Sequence, residues 1–376
     1  MIYFDNAATG GQKPDSVLSA VSSAIKLCAN PGRSGHKLSL ACANLVQSCR
    51  RELCDFFDGY SSERVIFTKN CTEALNIALF GCLKTGDHVI TTKMEHNSIL
   101  RPLQYLQKTG VITCDICTLS QGNVRASDIQ NLLRPNTKLV ALTGASNVTG
   151  ATPPIADIQR VLPDNVLLLI DGAQSCGHVP LSMRSLGVDI LTLAGHKGML
   201  GIQGSGAILF SERVELSPLL HGGTGSMSLS LEMPDFYPDA LEAGTLAFPA
   251  VVSLLEGVRH LSLYFEQIRK TNYAFTQYLL NGLKSLPVYQ AYSKPNACGI
   301  VALAHKNMQS EYLASVLSSS YDIAVRGGLH CAPLMHEALG TQSGLVRVSF
   351  SHFNSTGEID ELLSALKDLE NKQEEY

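Results

Sequence analysis

Short, mostly apolar runs recur along the chain after about residue 60, at 65–68, 88–91, 111–119, 139–143, 166–170, 190–193 and 206–210. Such runs are typical of strands that are buried on both faces of a sheet. Helix-like segments, for example 73–83 and 99–107, lie between them. The pattern therefore predicts an α/β fold with a mostly parallel sheet, which binds ligands beyond the carboxyl ends of its strands.

The pattern changes near residue 245. Residues 248–286 predict a long helix that is broken near Gly282, and Pro287 marks its boundary. The following residues predict a smaller unit, with strands at 299–303 and 345–350 and helices at 310–319 and 356–371. We expect two domains, a large one over residues 16–248 and a small one formed by residues 1–15 together with 249–376.

Composition and charge narrow the range of partners. Apolar residues make up 45% and charged residues 16% of the chain, as in an ordinary packed globular protein. The formal net charge is −4 and no long basic run is present, which argues against nucleic acid or an anionic membrane as a partner. No apolar run approaches the roughly 18 residues that span a bilayer. The first residues lack the features of a secretory signal, so we expect a cytoplasmic protein.

The 11 cysteines are an odd number, which favours reduced thiols over a disulfide framework. Cys114 and Cys117 form a C-x-x-C within the predicted strand 111–119. Strand side chains alternate, so these two point to opposite faces, which suits neither a chelate nor a disulfide. We interpret the pair as structural and expect no metal site.

Polar residues follow the predicted strands at the edge where a ligand would bind. The segment from Lys69 to Glu73 opens a helix, whose free N–H groups favour an anion such as phosphate, with a hydroxyl from Thr72; a simple helix cap is the alternative. His96 lies after the next predicted strand and could be a base, a metal ligand or a structural residue. Asn147 lies after another predicted strand, and taken alone it is interpreted as a turn residue.

Asp171 and Lys197 also follow apolar strands. A carboxylate in the position of Asp171 is costly unless it is paired, so it binds Mg²⁺, a cation or a protonated pyridine nitrogen. Partial burial of Lys197 would lower the pKa of its amine and make it a nucleophile for carbonyl groups. A surface lysine is the alternative.

A glycine-rich loop at 327–333 presents Cys331 beside His330. An exposed thiol near cations is activated, whereas a buried one is inert, and we expect His330 and Arg326 to supply the positive charge. Arg347 lies between apolar strand residues. It is suited to bind a substrate carboxylate, or else it forms an internal salt bridge.

In this order the motifs resemble the class V aminotransferase family of fold-type I pyridoxal-phosphate enzymes, most closely the short-loop, Suf-type cysteine desulfurases and selenocysteine lyases. The resemblance runs from Tyr3 to Arg347 and is most specific in the segments 171–174, 195–197 and 326–332. It implies an aspartate aminotransferase-like fold, with a large domain containing a seven-stranded sheet and a small C-terminal α/β domain. It also implies pyridoxal 5′-phosphate as cofactor.

The resemblance assigns roles around that cofactor. Lys197 would bind it covalently, and Asp171 would pair with its pyridinium nitrogen. His96 would stack on its ring and move protons, while Gln174 and Asn147 would lie near its phenolic oxygen.

The phosphate and the substrate have their own residues in the resemblance. The backbone of Cys71, together with Thr72 and His196, would hold the phosphate, and Thr245 would reach the phosphate of a second subunit, which implies a homodimer with shared active sites. Arg347 would bind the substrate carboxylate. The other residues expected around the substrate are Asn6, Ala7, Arg33, His36, Asn147 and Arg326.

The implied reaction removes sulfur from L-cysteine, giving L-alanine and a persulfide on Cys331 for an acceptor protein, as in iron–sulfur cluster assembly. Three positions depart from the family pattern: Ala194 for a serine at the phosphate, Cys71 for a threonine, and Leu329 for a histidine of the thiol loop. The alternatives are a selenocysteine lyase or other C–S lyase, an aminotransferase or epimerase, and a non-enzymatic subunit of a sulfur-relay assembly.

Overall fold

The computed structural model describes residues 1–27 and 29–374. Its strands are β1 (Ile2–Tyr3), β2 (Val65–Thr68), β3 (Asp87–Thr92), β4 (Ile112–Cys117), β5 (Thr137–Thr143), β6 (Leu167–Asp171), β7 (Ile190–Ala194), β8 (Gly206–Phe210), β9 (Tyr289–Ala291), β10 (Ile300–His305), β11 (Ile323–Ala324) and β12 (Val346–Ser349). Its helices are α1 (Asp15–Leu27), α2 (Lys37–Phe56), α3 (Cys71–Cys82), α4 (Asn97–Lys108), α5 (Ala126–Gln130), α6 (Ile155–Val161), α7 (Met183–Leu186), α8 (Phe248–Leu283), α9 (Ser310–Tyr321), α10 (Pro333–Leu339) and α11 (Thr356–Glu374).

The seven predicted apolar runs form one sheet in the order β2-β8-β7-β6-β5-β3-β4. β8 is antiparallel to β7 and β2, and the other neighbours are parallel, which confirms the mostly parallel seven-stranded sheet. The register places Asp171 of β6 between Thr143 of β5 and Thr192 of β7. The carboxyl ends of the central strands are therefore level, and their polar residues meet at one edge of the sheet.

Helices cover both faces of this sheet. One face packs against α3 and α4, and the other packs against α2 and the first part of α8. The second part of α8 belongs to a separate core with β10, β12 and α11. Since α8 contributes to both cores, it joins the two units, and the division at residues 248 and 249 stays a prediction.

α8 ends at Leu283, one residue after the predicted break near Gly282 and three residues before the predicted helix boundary. Gly282 also lies close to α11, since a Cβ there would lie 2.4 Å from the end of the Leu363 side chain, which would have to shift. A glycine near the end of a helix can thus also allow a close contact between helices.

The N-terminal residues belong to the smaller unit. β1 pairs in parallel with β11, and Phe4 packs edge-on against Phe350 at a ring distance of 5.1 Å. β9, β10 and β12 form an antiparallel sheet nearby. Residues 5–13, which we call the N-terminal arm, then lead from this unit to the large sheet.

The C-x-x-C pair has the predicted geometry. Cys117 lies in the core on one face of the large sheet and Cys114 packs against the core on the other. Among the described residues, no group of three or more histidine, cysteine or acidic side chains could hold a metal ion. In the same part of the chain, no helix is long and apolar enough to cross a membrane.

Candidate active site

Asp171 lies at the end of β6 with only 2% of its surface exposed. Its Oδ1 accepts hydrogen bonds from the backbone N–H of Ala173 at 2.9 Å and from the thiol of Cys71 at 3.2 Å. Burial raises the pKa of Cys71 well above its usual range, so the thiol stays protonated and donates. Both contacts fall on Oδ1, so that Oδ2 is available to a cationic ligand.

The first turns of α3 and α4 lie side by side next to this carboxylate. Asn70 caps α3 by accepting from the N–H of Glu73 at 2.9 Å, and the hydroxyl of Thr72 lies 2.9 Å from that of Ser98 in α4. Two helix N-termini with two hydroxyl groups suit an anion with several oxygens, such as a phosphate. Ser98 was not predicted as a site residue; its position between His96 and the predicted helix 99–107 was the available indication.

His96 is the N-cap of α4. Its Nδ1 accepts from the backbone N–H of Ser98 at 3.1 Å, which fixes the orientation of the ring. Burial lowers the pKa of His96, with Lys197 acting in the same direction and Asp171 opposing it. The imidazole is therefore uncharged near neutral pH and presents a flat, neutral ring to a ligand.

Lys197 extends from the turn 195–199 that follows β7. Burial lowers the pKa of its amine, the charge of Arg347 adds to the effect, and Asp171 opposes it. His196 is bound through Nδ1 to the hydroxyl of Thr9 at 3.0 Å, and burial together with Lys197 lowers the pKa of His196 to about 4. The amine of Lys197 is therefore a better nucleophile than that of a surface lysine.

The N-terminal arm forms one wall beside Lys197. Asn6 and Ala7 line a small cavity together with Lys197. The side chain of Gln174 donates to the carbonyl of Ala7 at 2.9 Å, and that of Asn6 donates to the carbonyl of Ser349 at 3.0 Å. Asn6 thus holds the arm in place against the small unit.

Arg347 is only 1% exposed and forms an ion pair with Asp5 at 3.0 Å. Its Nη1 donates to the carbonyl of Asn147 at 3.0 Å, and burial lowers the pKa of the guanidinium. Within the described residues its Nε–H has no hydrogen-bond partner. The internal salt bridge is present, and a donor remains for a carboxylate.

The loop with Cys331 is fastened to the large sheet on two sides. The amide of Asn147 donates to the carbonyl of His330 at 2.7 Å, and the backbone N–H of Asn97 donates to the carbonyl of Cys331 at 2.8 Å. Cys331 is exposed, and both it and His330 have left-handed backbone conformations, with φ of 56° and 51°. The thiol is therefore accessible in a loop that is held next to His96 and Asn147.

The expectation that His330 supplies positive charge is wrong. His330 is 4% exposed and its ring stacks on His336, with ring centres 5.8 Å apart. Burial and the nearby charge of Arg347 lower the pKa of His330 to about 3, so it is neutral at physiological pH. Arg326 is exposed and pairs through its backbone with Arg347, and it is the cationic residue of the segment 326–333.

Three predicted residues lie apart from this group within a single chain. Arg33 donates to the carbonyls of Gly223 and Gly244 at the surface. His36 caps α2 by accepting from the N–H of Ser39 at 3.2 Å, and Thr245 is exposed. The roles assigned to them, at the substrate for Arg33 and His36 and at the phosphate of a second subunit for Thr245, stay predictions.

Comparison with known proteins gives consistent results. The family model of aminotransferase class-V matches residues 2–362. Probable cysteine desulfurases from Methanothermobacter thermautotrophicus and from Synechocystis are each 32% identical to this chain. Each match covers 98% of this chain, and it covers 94% of the first relative and 90% of the second. The apo structure of a cysteine desulfurase from Thermococcus onnurineus superimposes with a TM-score of 0.90 at 28% identity, covering 99% of this chain and 95% of that one.

Proposed function

This chain belongs to the aminotransferase class-V family, and on that premise we propose that it is a pyridoxal-phosphate-dependent cysteine desulfurase that carries sulfur on Cys331. The observation that carries the proposal is the loop bearing Cys331. An exposed thiol is bound through its backbone to Asn97, next to His96, at the same edge of the sheet as Lys197 and Asp171. A nucleophilic thiol and a nucleophilic amine thus serve one crevice.

The residues present fit the cofactor. The amine of Lys197, with its lowered pKa, can react with the carbonyl group of the cofactor. The buried carboxylate of Asp171 has Oδ2 available for the ring nitrogen of the cofactor, and the first turns of α3 and α4 can hold the cofactor's phosphate. His96 would cover one face of the ring. When bound, the cofactor withdraws electrons from the α-carbon of an amino acid.

The protein groups then act on L-cysteine in turn. Arg347 binds the carboxylate, which orients the α-carbon toward the amine of Lys197. Lys197 takes the α-proton and can return it, since its lowered pKa keeps a fraction of the amine unprotonated.

Cys331 acts next, as a thiolate that attacks the sulfur of the substrate. A sulfur–sulfur bond forms and the carbon–sulfur bond of the substrate breaks, with its electron pair remaining on carbon. That carbon takes up a proton and becomes the methyl group of L-alanine. L-Cysteine and one thiol thus give L-alanine and one persulfide, without an external oxidant or reductant.

We infer the assembly from surface residues and the location from the cysteines. The surface positions of Arg33, His36 and Thr245 support a homodimer in which these residues complete the site of the other subunit. The exposed Leu329 and Cys331 support transfer of sulfur to an acceptor protein. The ten described cysteines are free thiols, which is typical of the reducing cytoplasm.

Replacement of Cys331 tests this function. The Cys331→Ala variant keeps the visible absorbance of the bound cofactor, but L-alanine formation from L-cysteine falls at least about 10²-fold because the attacking thiol is lost. Cys114→Ala, which removes a half-buried thiol from β4, is the matched control and stays near the wild-type rate. Full L-alanine formation by Cys331→Ala would mean that the sulfur passes to another acceptor and would overturn the proposal. Pyruvate and free sulfide in place of L-alanine would indicate an eliminating lyase and would overturn it as well.

A further inference from the structure

Lys13 lies behind the turn that carries Lys197. Its Nζ donates a hydrogen bond to the carbonyl oxygen of His196 at 3.0 Å. The backbone N–H of Gly10 donates to the same oxygen at 2.9 Å. The peptide bond between His196 and Lys197 is therefore held by two donors from the N-terminal arm, one of which carries a charge.

The close approach of the arm is built into its sequence. A Cβ on Gly10 would lie 2.9 Å from the Nζ of Lys13 and 3.3 Å from the carbonyl oxygen of His196. A side chain at position 10 would displace the amine of Lys13 from its place beside this carbonyl or shift the arm by a few tenths of an ångström. Glycine thus allows the amine of Lys13 to reach the backbone of the lysine-bearing turn.

The ammonium group of Lys13 is held here without a countercharge. Within the described residues Lys13 forms no ion pair, and burial lowers its pKa to about 8. A buried charge costs free energy unless it is paired. The carbonyl of His196 thus accepts from both Gly10 and Lys13, and only Lys13 brings a charge to it.

We propose that Lys13 is a positioning residue for Lys197, which fixes the carbonyl of His196 and places a positive charge beside the turn. This inference rests on the proposed function, in which Lys197 must be correctly placed and partly unprotonated. A positive charge near the turn disfavours a second positive charge on the amine of Lys197 or on the nitrogen it shares with the cofactor. In this proposal Lys13 adds to burial and to the charge of Arg347, which already lower the pKa of Lys197, and favours the unprotonated amine.

The charged groups around Lys13 leave this effect in place. Lys13 lines a cleft open to solvent together with Asp15 of its own segment and with Glu256, Arg259 and His260 of α8. Glu256 is bound to Arg259 at 2.7 Å. On the inner side, Lys13 faces the neutral His196. The charge of Lys13 is thus present at pH 7 and is lost above about pH 8.

Absorbance titration of the cofactor-loaded protein tests the proposal. In Lys13→Met, the pH midpoint of the visible absorbance change rises by at least about half a unit, since removal of the charge favours the protonated chromophore. Lys13→Arg keeps the charge and the donor and stays near the wild-type midpoint. Lys138→Met is the matched control, because Lys138 is half-buried at the opposite end of β5.

The outcomes are distinguishable. An unchanged midpoint in Lys13→Met, or equal shifts in Lys13→Met and Lys13→Arg, would overturn the role of the charge. If the wild type shows no lysine-bound cofactor, the proposed function fails. The pKa of Lys197 can then be read in the purified protein by NMR after reductive ¹³C-methylation, and it must be higher in Lys13→Met than in the wild type for the inference to stand.

Discussion

At the scale of single residues, burial decides the chemistry of the site more than residue type does. Burial lowers the pKa of both Lys197 and His330, and the positive charge of Arg347 adds to the effect at each of them. For Lys197 this gives a nucleophile, as the sequence predicted. For His330 it removes the charge that the sequence led us to expect, because the sequence does not show that this side chain is buried.

The buried guanidinium of Arg347 leads to a prediction at this scale. Arg347→Lys removes the planar guanidinium and its unpaired Nε–H. We expect the KM for L-cysteine to rise about 10- to 100-fold, which corresponds to the loss of one or two charge-assisted hydrogen bonds. The visible spectrum of the bound cofactor stays unchanged. Steady-state alanine formation measures the effect, and an unchanged KM would show that Arg347 serves only the ion pair with Asp5.

At the scale of elements, the sequence predicted the strands of the large sheet well and some other elements poorly. β2, β6, β7 and β8 were found because every residue in them is buried, whereas the short β1, β9 and β11 were not predicted. α1 and α2 were not predicted, since much of their surface is polar and their packing partner, α8, lies some 200 residues further along the chain. The short α10, which follows Cys331, was also missed.

The close contact between α8 and the turn that carries Lys197 predicts that a substitution in α8 affects stability. A Cβ on Gly257 of α8 would lie 2.1 Å from the backbone carbonyl oxygen of Met199, at the end of that turn. Gly257→Ala therefore displaces the turn or the helix and lowers the free energy of unfolding by about 1–3 kcal/mol.

Gly357→Ala in α11 is the matched control. A Cβ there has no neighbour closer than 3.8 Å, so the higher helix propensity of alanine leaves stability unchanged or increases it slightly. Denaturant unfolding compares the two variants. Equal stability of Gly257→Ala and the wild type would show that the backbone contact can relax at little cost.

At the scale of the whole molecule, the site depends on groups that lie far apart in the sequence. Asp5 is bound to Arg347, and Asn147 is bound to His330. Sequence motifs predicted most members of the site through their positions at strand ends. The arm contacts of Lys13 and the bonds that fasten the Cys331 loop could not be predicted, because each depends on how two units meet.

Buried neutral histidines link the stability of the whole molecule to pH. The pKa of His330 in the folded chain is about 3, below the value of about 6.5 in an unfolded one. Unfolding therefore takes up a proton between these values, and the free energy of unfolding falls as pH falls from about 6.5 toward 3.

His330→Gln isolates this contribution. Between pH 6 and 5 the free energy of unfolding falls less steeply in the variant than in the wild type. The two slopes differ by about 1 kcal/mol per pH unit. His221→Gln at the exposed His221 is the control with wild-type slope. Identical slopes for His330→Gln and the wild type would contradict the assignment of His330 as a buried neutral group.

The central claim is that Lys197 and Cys331 serve one reaction, and mass spectrometry tests it most directly. The cofactor-loaded protein is mixed with one equivalent of L-cysteine without reductant, then digested and mapped, while L-alanine is measured in the same sample. We predict one added sulfur on the peptide that contains Cys331, in amounts that match the alanine formed. Alanine with unmodified Cys331, or sulfide released without alanine, would contradict the account.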